Sequence, residues 1–167
     1  ALLVKNIQEK IIPFYDALGI VYDLIIVDDG SDESNQKIMN EAMNKMPLQV
    51  KLLPYEDKKG KGHNVAKGIL ASTGEYCMFM DADLASDLHT LDPVIKSLPN
   101  YDCYIASRYM KESQMPKKAG FIRRIISLLS RQIIKVGFHF KGINDTQCGY
   151  KIFRTDVIKK VAERSIV

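Results

Sequence analysis

Four short apolar runs, at 23–27, 49–53, 76–80 and 102–106, alternate with stretches of helical length, and this alternation constrains the fold most. Each run has the length and composition of a strand covered on both faces, as in the interior of a parallel sheet. The spacers at 34–46, 63–71 and 91–98 read as helices. Strand and helix taken in turn imply right-handed crossovers and a mostly parallel central sheet flanked by helices, an α/β fold. Residues 1–18 form the opening helix, with Leu2, Leu3, Ile7, Ile11, Phe14 and Leu18 at helical spacing and Gly19 as its stop. Pro13 inside it predicts a kink or break. A sheet that starts with a helix leaves a position empty, so a strand preceding Ala1 is expected beside the 23–27 run. Further on, 120–140 reads as a long helix, 142–151 as a loop, Ile152–Phe153 as a short strand and Thr155 as the start of a last helix.

With 167 residues, 46% of them hydrophobic, the chain has the material for one domain with a sizeable core. A net charge of +4 permits an anionic partner such as a phosphate, nucleotide or lipid headgroup. It is not the concentrated basic stripe of a nucleic-acid binder. Cys77, Cys103 and Cys148 form no CxxC pair and no zinc spacing, and Cys77 and Cys103 fall in expected buried strands. His63, His89 and His139 are scattered, so neither zinc nor a Ser/His/Asp hydrolase is supported. No apolar run approaches the ~18 residues of a membrane span.

The 76–80 run ends in Asp81–Ala82–Asp83, two carboxylates one residue apart. Ligands of open α/β sheets bind at the carboxyl ends of strands. Carboxylates this close repel unless a cation lies between them, and Mg2+ or Mn2+ bridging them to substrate phosphates is the usual arrangement. The plainer alternative is that Asp81 and Asp83 cap the next helix. After the 23–27 run comes Asp28–Asp29–Gly30–Ser31, where carboxylates accept from a base or ribose, Gly30 permits a tight turn, and Ser31, Asp32 or Ser34 caps the following helix. Lys59–Gly60–Lys61–Gly62 offers amides and Lys61 to a diphosphate, although it is not a P-loop. Arg108 follows the 102–106 run and presents a forked donor suited to phosphate. In the 120–140 stretch, Arg124, Ser127, Arg131 and Lys135 share one face, with Arg123 beside it. Such a helix either docks on the sheet or lies at a membrane interface.

In this order and spacing, Val27–Asp28–Asp29–Gly30–Ser31, Asp81–Ala82–Asp83, Ser107–Arg108–Tyr109 and Asp145–Thr146–Gln147–Cys148–Gly149–Tyr150–Lys151 resemble the signature of family 2 inverting glycosyltransferases. The similarity is strongest to the branch that loads sugar onto a polyprenyl phosphate, the dolichyl-phosphate β-glucosyltransferases, with the dolichol-phosphate mannosyltransferases next. The resemblance implies a GT-A fold spanning 1–167 as a single domain, incomplete at the N-terminus and possibly at the C-terminus. It implies a nucleotide-sugar donor, UDP-glucose or GDP-mannose, bound by Asp28, Asp29, Gly30, Lys61 and Asp81. Asp81 and Asp83 would be the family's DxD, with Asp83 the stronger metal ligand. Arg108, Arg123 or Arg124, Ser127 and Lys151 would grip the lipid phosphate, Arg108 with a catalytic part, and Asp145 and Gln147 would complete the loop. The acceptor lipid implies a membrane surface, at the cytosolic face of the endoplasmic reticulum or the bacterial inner membrane. A hydroxyl acceptor with Asp145 as base, and a nucleotidyltransferase-like or non-catalytic nucleotide-binding domain, are the competing readings. The family's opening strand and its Pro-x-Tyr/Phe-Asn-Glu segment find no counterpart in this reading.

Overall fold

The computed structural model describes residues 2–84, 87–107, 132–134, 137, 143, 145–146 and 148–165. The chain opens with α1 (Leu2–Asn6), a π-helical turn (Ile7–Ile11) and α2 (Ile12–Leu18) in unbroken succession. Pro13 therefore causes no break: it sits in the first turn of α2, where its missing amide proton costs least, behind the widened turn. Gly19, left-handed at φ 65°, ends α2 as expected. Ile7 and Ile11 are 1% and 2% exposed, and their burial contributes about 1.5–3 kcal/mol each.

Four elements follow in the expected alternation: β1 (Leu24–Ile26), α3 (Glu33–Met43), β2 (Val50–Leu52) and α4 (Lys61–Ala71). Asp32 caps α3 by accepting from the Asn35 amide, so of the three candidate caps it is the one used. The helix at 63–71 starts two residues earlier than the sequence implied, which moves Lys61 from a loop into the first helical turn. After β3 (Tyr76–Phe79) the 91–98 region is more broken than expected. It consists of a 3-10 turn (Leu88–Leu91), α5 (Asp92–Ile95) and a second 3-10 turn (Leu98–Asn100), with Pro93 and Pro99 interrupting regular helix. Then come β4 (Cys103–Ile105), β5 (Lys151–Arg154) and α6 (Thr155–Ser165).

The pairing corrects the expectation of a mostly parallel sheet. β1 and β2 pair parallel, with Leu24 opposite Val50. The second sheet has the order β3–β5–β4, and β5 is antiparallel to both neighbours. β3 and β4 thus still run the same way, as the crossover rule requires. They are not neighbours, because the returning strand is inserted between them. Among the described residues, β1 pairs only with β2. Cys103, expected to be buried, is exposed; among the described residues, β4 has a strand on one side only.

One apolar cluster joins Ile7 and Ile11 to Ile26, Val50, Leu88, Leu91, Tyr150 and Ile152, so the opening helix and both sheets share a core. A second, formed by Ala66, Ile69, Cys77 and Ala162, packs α4 against α6 and fixes the start of α4 relative to β3. Among the described residues, no helix is long and apolar enough to cross a membrane. Apart from 132–134 and 137, the 120–140 stretch lies outside the described residues, so its expected helix and phosphate face do too. Ile133, within that stretch, is 71% exposed.

Candidate active site

The strand register brings the ends of β3 and β4 to Lys151. Lys151 opens β5 opposite both Phe79, two residues before Asp81, and Ile105, two before Ser107. The ends of β3 and β4 therefore lie on either side of Lys151. Arg108, Arg123, Arg124, Ser127 and Gln147 lie outside the described residues.

Two loops are clipped together on the β1 side. Asp28 accepts from the Ser31 amide at 2.7 Å and from its hydroxyl at 2.6 Å, closing a tight turn. Ser31 therefore serves Asp28 rather than capping α3. Gly30 is left-handed at φ 75°, and a Cβ there would lie 2.8 Å from the Lys58 backbone nitrogen, so turn and contact both demand glycine. Asp29 accepts from the amides of Gly60 at 2.8 Å and Lys59 at 3.1 Å. These bonds, Gly60 first, hold its carboxyl below the usual aspartate range. The Asp29 side chain thus builds the lysine–glycine loop, a structural task that the sequence did not disclose.

From that loop Lys61 reaches across to Asp81, its Nζ 2.5 Å from Oδ1. Asp81 and Asp83 do not cap the next helical turn: Asp87 does, accepting from the His89 amide. The acidic loop turns sharply instead, the Leu84 amide donating to the Asp81 carbonyl at 3.1 Å. Leu84 holds φ 50°, a left-handed conformation strained for a branched side chain. On one flank, buried Asn6 donates from its side-chain amide to the Ala82 carbonyl at 3.2 Å. On the other, the Asp81 carboxylate lies directly against Gly149.

Residues 148–150 close this side of the rim, with Gly149 against Asp81. Asp145 is 2% exposed, and Cys148 and Tyr150 are buried. Burial, then the nearby Asp87, Cys148 and Asp83, push the Tyr150 phenol up to about 12. Lys151 donates to the Cys148 carbonyl at 2.8 Å, and its Nζ lies 4.9 Å from the Phe79 ring centroid. Burial draws its ammonium below the usual lysine range, with Lys61 acting the same way and Cys148, Asp145 and Asp81 opposing. Lys61, Asp81, Asp145 and Lys151 are thus one electrostatic cluster.

Asp81 and Asp83 are the groups that could offer oxygen to a hard divalent cation, Asp81 being paired with Lys61 here. Among the described residues, no group of three or more His, Cys, Asp or Glu could hold a metal. Two carboxylates suffice for Mg2+ or Mn2+, which take the rest of their ligands from substrate phosphates and water.

The comparison with known proteins now decides the family. Residues 11–162 match the family described as "Glycosyl transferase family 2". The chain belongs to glycosyl transferase family 2. The α/β architecture described above is the GT-A fold of that family. Among curated family 2 relatives, the dolichyl-phosphate beta-glucosyltransferase of Dictyostelium discoideum is 32% identical over 158 residues, covering 86% of this chain and 46% of that protein. The enzyme of the same name from Homo sapiens is 29% identical over 153 residues (85% and 46%). That of Saccharomyces cerevisiae is 29% identical over 161 residues (86% and 48%). The chain spans about half the length of these curated relatives.

Two contributors to the site escaped the sequence reading. Asn6 had a signal, a polar residue beside the apolar positions Leu3 and Ile7. Gly149 lies within the 145–151 motif, but its contact was not legible there, because what it accommodates belongs to a distant strand end.

Proposed function

We propose that this domain transfers glucose from a nucleotide-sugar donor to a polyprenyl phosphate, of the dolichyl type, with inversion at the anomeric carbon. The observation that carries the reading is the meeting of Lys61, Asp81 and Lys151 at the rim where β3 ends and β5 begins. The names of the relatives supply the sugar and the lipid.

The residues divide the work by charge. The loops of Asp28 and Asp29 receive the nucleoside. Asp81 and Asp83 would hold Mg2+ or Mn2+, which would supply positive charge to the departing diphosphate. Lys61 stands beside them and adds to that stabilisation. The acceptor is already an oxyanion, so its attack needs no general base. Lys151 and Arg108, with Arg123 or Arg124 and Ser127, orient it and offset repulsion between two anionic substrates. An acceptor embedded in lipid places the reaction at a membrane surface, on the cytosolic face of the endoplasmic reticulum or a bacterial inner membrane. The buried position of Asp145 argues against its serving as base for a saccharide hydroxyl.

The test is transfer from labelled UDP-glucose, and in parallel GDP-mannose, with Mn2+ and either dolichyl phosphate or an oligosaccharide as acceptor. Labelled lipid formed from UDP-glucose is the expected result. Label passing only to the oligosaccharide, or full activity in excess chelator, contradicts the acceptor or the metal, respectively.

A further inference from the structure

The acidic loop is under strain, and something outside it must hold it. Leu84 has φ 50° immediately after Asp83, and a non-glycine residue stays there only where its surroundings over-determine the backbone. The turn bond from the Leu84 amide to the Asp81 carbonyl closes the loop on itself but does not fix where it points. Asn6 does so from a different part of the chain. Its side chain is 3% exposed, and its amide reaches the Ala82 carbonyl, the backbone group between the two carboxylates. Asn6 ends α1, and the π-helical turn begins at the next residue. Such turns insert one extra residue and re-aim side chains, and they recur at functional sites. Ile7 and Ile11, both in the core, anchor the helix that carries Asn6. An otherwise apolar helix face therefore spends a buried polar position on one backbone carbonyl of this loop.

We propose that Asn6 is a positioning residue: its amide fixes the Asp81–Ala82–Asp83 backbone so that both carboxylates face one cation and the donor diphosphate. It touches neither, acting through the Ala82 carbonyl. The proposal deepens the glycosyl-transfer reading and rests on it for the identity of the donor.

The test compares the chain with Asn6→Leu, which keeps the branching and number of heavy atoms but lacks the donor, and with Asn6→Asp, which sets an acceptor against the carbonyl. Three quantities are read: melting temperature, Mn2+ affinity from the free-ion EPR signal, and kcat and KM for glucosyl transfer. Both variants are expected to lose Mn2+ affinity and kcat together by about tenfold or more, with Asn6→Leu melting near the parent. Wild-type Mn2+ affinity and kcat in Asn6→Leu overturn the proposal and leave Asn6 a packing residue. A parent chain that binds no Mn2+ overturns it together with the metal reading. Absent sugar transfer throughout, with Mn2+ affinity still lost in both variants, supports the role of Asn6 and overturns the assigned reaction alone.

Discussion

Replacing Gly149 by alanine isolates the acidic loop from the rest of the fold. The φ of Gly149 is outside the left-handed region, so the demand for glycine here is one of space. An ideal Cβ at this position would lie 2.8 Å from the Asp81 Cγ, and closer still to Oδ2. Ordinary contacts between carbon atoms are about 3.5–4.0 Å, so the carboxylate must retreat by roughly 1 Å. Asp81 can do this, because its side chain is 43% exposed. Overpacking usually costs about 1–3 kcal/mol, and the low end applies where the obstacle can swing into solvent. Restricting the unfolded chain returns about 0.4–1 kcal/mol. The net destabilisation is then within about 1 kcal/mol, or about 2–4 °C in melting temperature for a domain of this size. Function fares differently, since misplacing a catalytic group by about 1 Å costs about 100-fold. The assay is kcat/KM for glucosyl transfer to dolichyl phosphate beside a thermal melt. Activity within twofold of the parent would refute the claim that Asp81 must occupy the space over Gly149.

Asp83→Asn keeps the shape of the loop and removes a charge, so transfer should fall at least 100-fold with the melting temperature unchanged; near-normal turnover removes Asp83 from the metal role. Lys151, its pKa depressed by burial, loses its proton below the ordinary lysine value of about 10.4. Affinity for an anionic acceptor should therefore decline at a lower pH than an exposed lysine would dictate, and Lys151→Arg should remove that decline; an identical alkaline limb in the variant rejects the contact. The same depression makes the unfolded state the better proton binder in that window, so stability should rise with pH through it, measurable by urea unfolding. Asp29 has the opposite consequence. Its folded carboxyl lies below the usual range through the Gly60 amide, so its stabilisation is present above about pH 3.9 and is lost as pH falls through the folded value. Asp29→Ala should melt lower than the parent at neutral pH, with the gap closing in acid; a gap independent of pH contradicts the Asp29–Gly60 bond.

Alternating apolar and helical stretches foretold β1, β2, β3 and β4 to within a residue or two at each end, because strands of this kind need only a short run covered on both faces. Pairing order was not legible. Alternation says that successive strands run the same way, but it is blind to a later strand that returns between two earlier ones, as β5 does. Cys103 follows from the same arrangement: a run apolar enough for the interior has, among the described residues, a strand on one side only. The acidic pair was legible from local chemistry, two carboxylates after a buried run. What positions it was not, because Asn6 and Gly149 act through space on a carbonyl and a carboxylate far away in sequence. Asp28 and Asp29 look equivalent in sequence and differ in use. One closes its own turn and the other clips a second loop, a distinction that depends on where Gly60 falls.

The short contact between Lys61 and Asp81 contributes little to the fold. Its side chains are 62% and 43% exposed, and ion pairs of that kind contribute about 0–1 kcal/mol. The start of α4 is fixed instead by Ala66 and Ile69 packed against Ala162 and Cys77, and the end of β3 by its ladder to β5. Both charges are thus carried on elements that would remain in register if the pair separated. A rim built this way can exchange Asp81 for a phosphate at Lys61 with little loss of stability. The groups that cannot exchange are the buried ones beneath it, Asn6 and Tyr150, which hold no substrate in this scheme. Rigidity lies in one layer and charge in the next, the separation that the proposed transfer between two anions would need.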